Sequence, residues 1–211
     1  STFLVAVPST FAQEKSYSAD QFDVDVVVQS DGSLLVTETV VFSFVGEPFT
    51  YVCREIPTSK TDGVEIMSAA VDGRFYPQGS DAGQVEIEPG SNIRVTWHME
   101  PTANTTRSFV LEYRMLGVVR QEENSDLLRY QPLPDEFEYS IDSSTVAVIY
   151  PTVANLLETP NVTAGQAQVE RSGNVVTFQR QNIEADETMI FDMQFAKGSL
   201  ISAPPTWQAR Q

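Results

Sequence analysis

Between Phe22 and Val28 every second residue is apolar (Phe22, Val24, Val26, Val28), and Asp23 and Asp25 stand between them. A two-residue period sends alternate side chains to opposite faces of an extended chain, so this run reads as a strand with one dry and one wet face. The same rhythm returns in Leu34, Val36, Val40, Phe42 and Phe44 after the turn-forming Ser30-Asp-Gly-Ser33, and the two runs predict a hairpin. Further strands are expected at 49–56, ended by Pro57, and in two hairpins, 64–71 with 74–76 and 84–88 with 93–99. Ile93, Val95, Trp97 and Met99 face one way in the last of these, and Arg94, Thr96 and His98 the other. Residues 107–119 form another long strand, with Phe109, Leu111, Tyr113 and Met115 inward. After a polar stretch at 122–126 and the interruption of Pro132 and Pro134, strands resume at 140–150, 166–171, 175–180 and 188–195.

Val and Thr together number 43 of 211 residues, and no stretch keeps a helical period for three turns. The expected fold class is therefore all-β, an antiparallel β-sandwich of immunoglobulin-like layers. Residues 1–16 read as the end of a signal peptide and a leader, since Phe3 to Ala12 is apolar and then small. Residues 17–198 form the β domain, which admits a split into packed subdomains 17–135 and 136–198. Residues 199–211, with Pro204 and Pro205, read as an extended Pro-rich juxtamembrane linker.

Charge narrows the partners. The 13 Lys and Arg against 29 Asp and Glu give a net charge of −16, which repels phosphate backbones and argues against nucleic acid. The single Cys53 and single His98 leave no disulfide framework, no Cys-based zinc site and no His-rich metal centre. A Cys53–His98 dyad has no support in the sequence, and each residue reads as an ordinary strand position. Carboxylates beside or near glycines in turns (Asp31, Asp62, Asp72, Asp81) do not follow a calcium-loop spacing, and turn geometry explains the Asp-Gly pairs. Asn104 and Asn161 open Asn-x-Thr sequons, glycan acceptors only in a secreted eukaryotic chain. No cofactor and no metal is expected.

Glu38 is the misfit. It occupies the inward register between Val36 and Val40, where an unpaired carboxylate costs several kcal/mol to bury. Arg54 shares an inward register with Val52 and Ile56, so a structural Glu38–Arg54 ion pair across the core satisfies both. Read as a general acid or base, Glu38 would lack a second catalytic group, and no catalytic residue is assigned.

The ordered pieces Phe22-Asp-Val-Asp-Val-Val-Val-Gln-Ser-Asp-Gly-Ser33, Leu35-Val-Thr-Glu38, Arg54-Glu-Ile-Pro57, Phe109-Val-Leu-Glu-Tyr-Arg114, Leu127-Leu-Arg-Tyr130, Val148-Ile-Tyr-Pro151 and Gly173-Asn-Val-Val-Thr-Phe178 resemble the extracytoplasmic domain of the YciQ-like family of bacterial predicted membrane proteins. The resemblance spans most of 17–207. It implies a signal peptide, a β-rich domain outside the membrane and spanning helices after the linker. Glu38 and Arg54 match the family's characteristic Glu and Arg-x-Ile-Pro positions, whereas Ala196 stands where the family often has proline. No activity is carried over. The expected function is a non-enzymatic binding, sensing or assembly module of a membrane-anchored bacterial envelope protein, on the extracytoplasmic side, with an envelope protein or polymer as partner. Its rivals are a carboxylate-dependent glycan hydrolase and a purely structural spacer.

Overall fold

The computed structural model describes residues 14–134 and 136–210. The expected first hairpin is present as β1 (Ser16–Val28) and β2 (Leu34–Val45), antiparallel with Val24 opposite Glu38. Its turn is tight: Gly32 takes φ +77°, and a Cβ there would lie 2.4 Å from the Ile201 side chain, so only glycine fits. Asp31 accepts from the Ser33 N–H at 2.9 Å and closes the same turn.

The chain then leaves this sheet. β3 (Phe49–Pro57) joins a three-stranded sheet in the order β3-β7-β6, while β4 (Gly63–Val71) and the short β5 (Arg74–Phe75) return to the first sheet. β6 (Gln84–Glu88) and β7 (Asn92–Thr102) form the next hairpin, and β8 (Thr105–Leu116) pairs with both β2 and β4. β9 (Arg120–Gln121) and β10 (Ser125–Tyr130) begin a third sheet. β11 (Ile141–Ile149), β13 (Gln168–Ser172) and β14 (Val175–Ile183) extend the first sheet beyond β1. β12 (Asn161–Ala164) and β15 (Ile190–Ala196) complete the third sheet, and α1 (Thr206–Ala209) is a single turn.

The result is one eight-stranded sheet, β13-β14-β11-β1-β2-β8-β4-β5, covered on one face by two smaller sheets. Ring contacts show the layering. Trp97 of β7 meets Phe109 of β8 edge-on at 5.8 Å, and Phe191 of β15 stacks on Phe178 of β14 at 4.1 Å. Between those two contacts the large sheet contributes Val24, Val26, Val36, Leu111, Val146 and Val148, all buried. Strands from either side of residue 135 thus share one sheet and one core.

The all-β sandwich is as the alternation predicts, with three differences in detail. The covering layer is two separate sheets, and β1 pairs β11 in parallel, Val24 beside Val146. A parallel neighbour requires a long crossover, and residues 29–140 supply it, adding β2, β8, β4 and β5 to the same sheet and five of the covering strands on the way. The stretch around residue 126, expected to be a polar interruption, instead begins β10 with Asp126 fully buried. Its carboxylate is satisfied by the backbone N–H groups of Gly198, Leu200 and Ile201 at 3.0–3.2 Å.

The third difference concerns the expected extended linker. Residues 200–210 are folded back onto the body. Asp62 accepts from the N–H groups of Thr206 and Trp207, each at 2.8 Å, and the Trp207 indole donates to the Gly117 carbonyl at 2.7 Å. Gln208 and Gln121 exchange two further bonds. The prolines keep this segment out of a sheet, as expected, but side-chain acceptors on the body supply the partners that a strand neighbour would have given. The leader reading of 1–16 falls mainly on residues 1–13, outside the described residues.

Candidate functional site

β2 delivers Glu38 to the dry face of the large sheet, opposite Leu111 of β8, and its side chain is only 2% exposed. β3 crosses above it and delivers Arg54, 11% exposed. The pair is bidentate: Arg54 Nε donates to Glu38 Oε2 at 2.9 Å, and Nη2 to Oε1 at 2.8 Å. Tyr113 of β8 donates its hydroxyl to the same Oε1 at 2.8 Å, and the Tyr130 hydroxyl of β10 lies 3.1 Å from that of Tyr113. Arg54 Nη1 donates to the Glu55 carbonyl at 2.7 Å. The cluster therefore ties together all three sheets: β2 and β8 of the large one, β3 of one cover and β10 of the other.

Electrostatics follow from burial and from one carboxylate. Burial alone would lower the Arg54 pKa, but the charge and hydrogen bonds of Glu38 outweigh it and hold the guanidinium protonated. Burial pushes the Tyr113 and Tyr130 hydroxyls above their ordinary 10.0, and the Glu38 charge adds to it. A phenol whose folded pKa is raised contributes stability that is fully present below its unfolded value. Above pH 10 the unfolded chain loses these protons while the folded one keeps them, so stability falls as pH climbs toward the folded values. The thermal midpoint is expected to drop between pH 9 and pH ~11, and less steeply in a Tyr113→Phe/Tyr130→Phe variant. Parallel pH profiles for the two proteins would contradict this origin.

Beside the cluster, along the seam between the two covering sheets, opens a cleft of about 320 Å³. Arg54 and Tyr130 form part of its wall, with Lys60, Arg120, Arg129 and Trp207 around them. A second recess, about 220 Å³, is aromatic: Tyr17, Phe49, Tyr51 and Tyr139 line it, and the Lys15 ammonium sits 4.3 Å from the Phe49 ring centre. A third, at Glu158 and Asp192, brings two acids to one surface. Asp192 there is engaged by Arg129 through two hydrogen bonds, of 2.7 and 2.6 Å.

The other residues singled out in the sequence find separate partners. Cys53 is exposed, with an Arg94 nitrogen 3.8 Å from its sulfur, and His98 pairs with Glu86 at 3.1 Å. Asp72 binds Arg107 at 2.7 Å, and Asp23 accepts from the Thr145 N–H at 2.8 Å. Hydrogen bonding to Ser33 holds the Asp31 carboxyl below its ordinary pKa. Among the described residues, no group of three or more His, Cys, Asp and Glu could hold a metal ion. Asn104 and Asn161 are both at the surface.

Residues 18–195 match the N-terminal domain of a family described as predicted membrane proteins, DUF2207. The chain belongs to this family. No curated protein matches it. In solved structures the DUF2207 domain is similar in fold to the native leukotriene A4 hydrolase of Saccharomyces cerevisiae, with a TM-score of 0.59 at 10% identity over 90% of this chain and 32% of that one. An M1 zinc metallopeptidase from Deinococcus radiodurans matches with a TM-score of 0.51 at 13% identity, over 84% of this chain and 42% of that one. The chain thus spans less than half the length of these enzymes, and at such identity the likeness concerns the fold alone. Among the described residues of the DUF2207 domain, no helix is long and apolar enough to cross a membrane.

Sequence reasoning places Glu38 and Arg54 inward but misses their two tyrosine partners. Tyr113 reads as one more apolar inward residue, although a buried hydroxyl requires a partner and Glu38 is the nearest unspent acceptor on that face. Tyr130 carries no periodic signal, because β10 is buried on both faces over Ser125 to Leu128. The cleft itself is assembled from β3, β9, β10, the loop after β3 and the C-terminal turn of the DUF2207 domain. Nothing local in the sequence announces it.

Proposed function

We propose that this chain is a non-enzymatic extracytoplasmic module of a membrane-anchored bacterial envelope protein, of the YciQ-like kind, serving binding, sensing or assembly. The observation that carries the reading is the state of Glu38. Both of its oxygens are occupied by Arg54 and one also by Tyr113, so the carboxylate acts as a counter-ion binding three sheets together, not as an acid or base facing a substrate. Membership of a predicted membrane protein family supports the address. The seam cleft supports binding over a plain spacer, since a concave site with convergent polar groups is what a small ligand needs.

Cys53, the only cysteine of the chain and exposed, gives a direct test of the address. In cells producing the whole protein, a membrane-impermeant thiol reagent is expected to label Cys53 before lysis, read on the proteolytic peptide that carries it, and Cys53→Ser to remove the label from that peptide. Labelling of Cys53 only after the cytoplasmic membrane is opened would overturn the extracytoplasmic reading. Turnover of any substrate in a glycan-hydrolase panel would overturn the non-enzymatic one.

A further inference from the structure

We propose that the seam cleft binds a small ligand carrying a phosphate group on an apolar or ring-bearing body. This rests on the binding reading above and names what the module binds.

The distribution of charge is the first observation. The chain carries 29 acidic residues against 13 Lys and Arg, yet among the described residues the cleft wall presents Arg54, Lys60, Arg120 and Arg129 and no carboxylate. A protein of net charge −16 places four of its few cations around one concavity of about 320 Å³.

Preorganisation is the second. Each arginine is anchored by a carboxylate outside the lining: Arg54 by Glu38, Arg120 by Glu122 at 2.6 Å, and Arg129 by Asp192 at 2.6 Å. Arg129 engages Asp192 through Nε and Nη2, which leaves its Nη1 unspent, and Lys60 makes no ion pair among the described residues. A guanidinium has five donors in a rigid plane, so one edge can be fixed while the rest stays available to a ligand. Holding these side chains in advance removes part of the ordering cost of binding.

The ligand class follows from geometry. The cations come from β3, the loop after it, β9 and β10, and so approach the cavity from several directions. A phosphate offers three terminal oxygens in a tetrahedron and can meet donors arriving that way, whereas a carboxylate offers two in one plane. Met115, Val118, Leu133, Ile190 and the rings of Tyr130 and Trp207 give the rest of the ligand an apolar berth. The volume suits a small molecule or one headgroup, and the acidic surface around it disfavours an extended phosphate polymer.

The test is calorimetric titration of the 211-residue chain with glycerol 3-phosphate, with dihexanoyl phosphatidic acid (a phosphate monoester like the first probe) below its micelle concentration, and with sodium acetate. Saturable binding of a phosphate-bearing probe is expected, weakening as salt rises. Lys60→Glu and Arg120→Glu, each checked for an unchanged melting curve, are expected to weaken it at least tenfold. Arg171→Glu, on β13 away from the cleft, leaves it unchanged. The lipid binding at least tenfold tighter than the soluble ester identifies a headgroup as the source; comparable affinities identify a soluble phosphate ester. The proposal is overturned if no phosphate-bearing probe saturates, if acetate binds as tightly, or if Lys60→Glu and Arg120→Glu bind like the parent. Because the titration is done on purified protein, its failure leaves the labelling result for Cys53 untouched, and the reverse also holds.

Discussion

Arg54→Ala is expected to destabilise the fold by about 3–5 kcal/mol, the usual penalty when one partner of a buried ion pair is removed. The loss is not that of a favourable contact alone. Glu38, 2% exposed, would be left with only the Tyr113 hydroxyl as its partner, and a carboxyl group stranded in an apolar layer without its cation is what the fold cannot tolerate. For a chain of this length each kcal/mol moves the thermal midpoint by roughly 2–4 °C, so the drop is on the order of 10 °C. Arg210→Ala, an exposed residue beyond the last helical turn, provides the control and is expected to change stability by less than about 0.5 kcal/mol. Melting curves followed by circular dichroism compare the two directly, and equal midpoints would remove the structural role from the pair.

Asp126→Ala has the second largest expected effect. The carboxylate is fully buried and accepts from three backbone N–H groups, those of Gly198, Leu200 and Ile201. Each buried N–H left without an acceptor costs about 1–3 kcal/mol, and the Leu200 and Ile201 donors are the buried ones, so the substitution is expected to cost about 2 kcal/mol or more. The damage has a direction, because the donors lie where the chain leaves β15 for the C-terminal turn. Leu200 and Ile201 are buried just there, and Ile201 packs on the Gly32 turn. Loosening that anchor should release residues 199–210, exposing Trp207 and shifting its fluorescence to the red at temperatures where the body is still folded. Protease cleavage after Lys197 or at Arg210 is not diagnostic, but new cleavage between 199 and 207 is. Unchanged melting together with unchanged Trp207 emission would contradict the anchoring role.

The two effects also mark what the sequence can and cannot disclose. The hairpins β1–β2, β4–β5 and β6–β7 are legible because their turns are local and one face of each strand meets water, which leaves alternation in the sequence. Glu38 and Arg54 are legible for the same reason: a charge inside a strict two-residue register is conspicuous. β10 escapes because a strand buried on both faces shows no alternation, and its Asp126 looks like turn chemistry unless its distant donors are known. The folded-back C-terminal segment escapes because its acceptors, Asp62, Gly117 and Gln121, come from loops and edges some 90 to 145 residues earlier. Parallel pairing of β1 with β11 is a property of the whole path, not of either strand. The seam cleft is of the same kind, since nothing local marks Lys60, Arg120 and Arg129 as neighbours of Arg54.

Glu38 and Arg54 act as one unit joining the layers of the sandwich. A double-mutant cycle tests this most directly, with Glu38→Ala, Arg54→Ala and the double variant unfolded at equilibrium in urea. If the two charges serve each other, the double variant loses little more stability than the worse single one. Losses that simply add would show two independent residues, and the claim would fail.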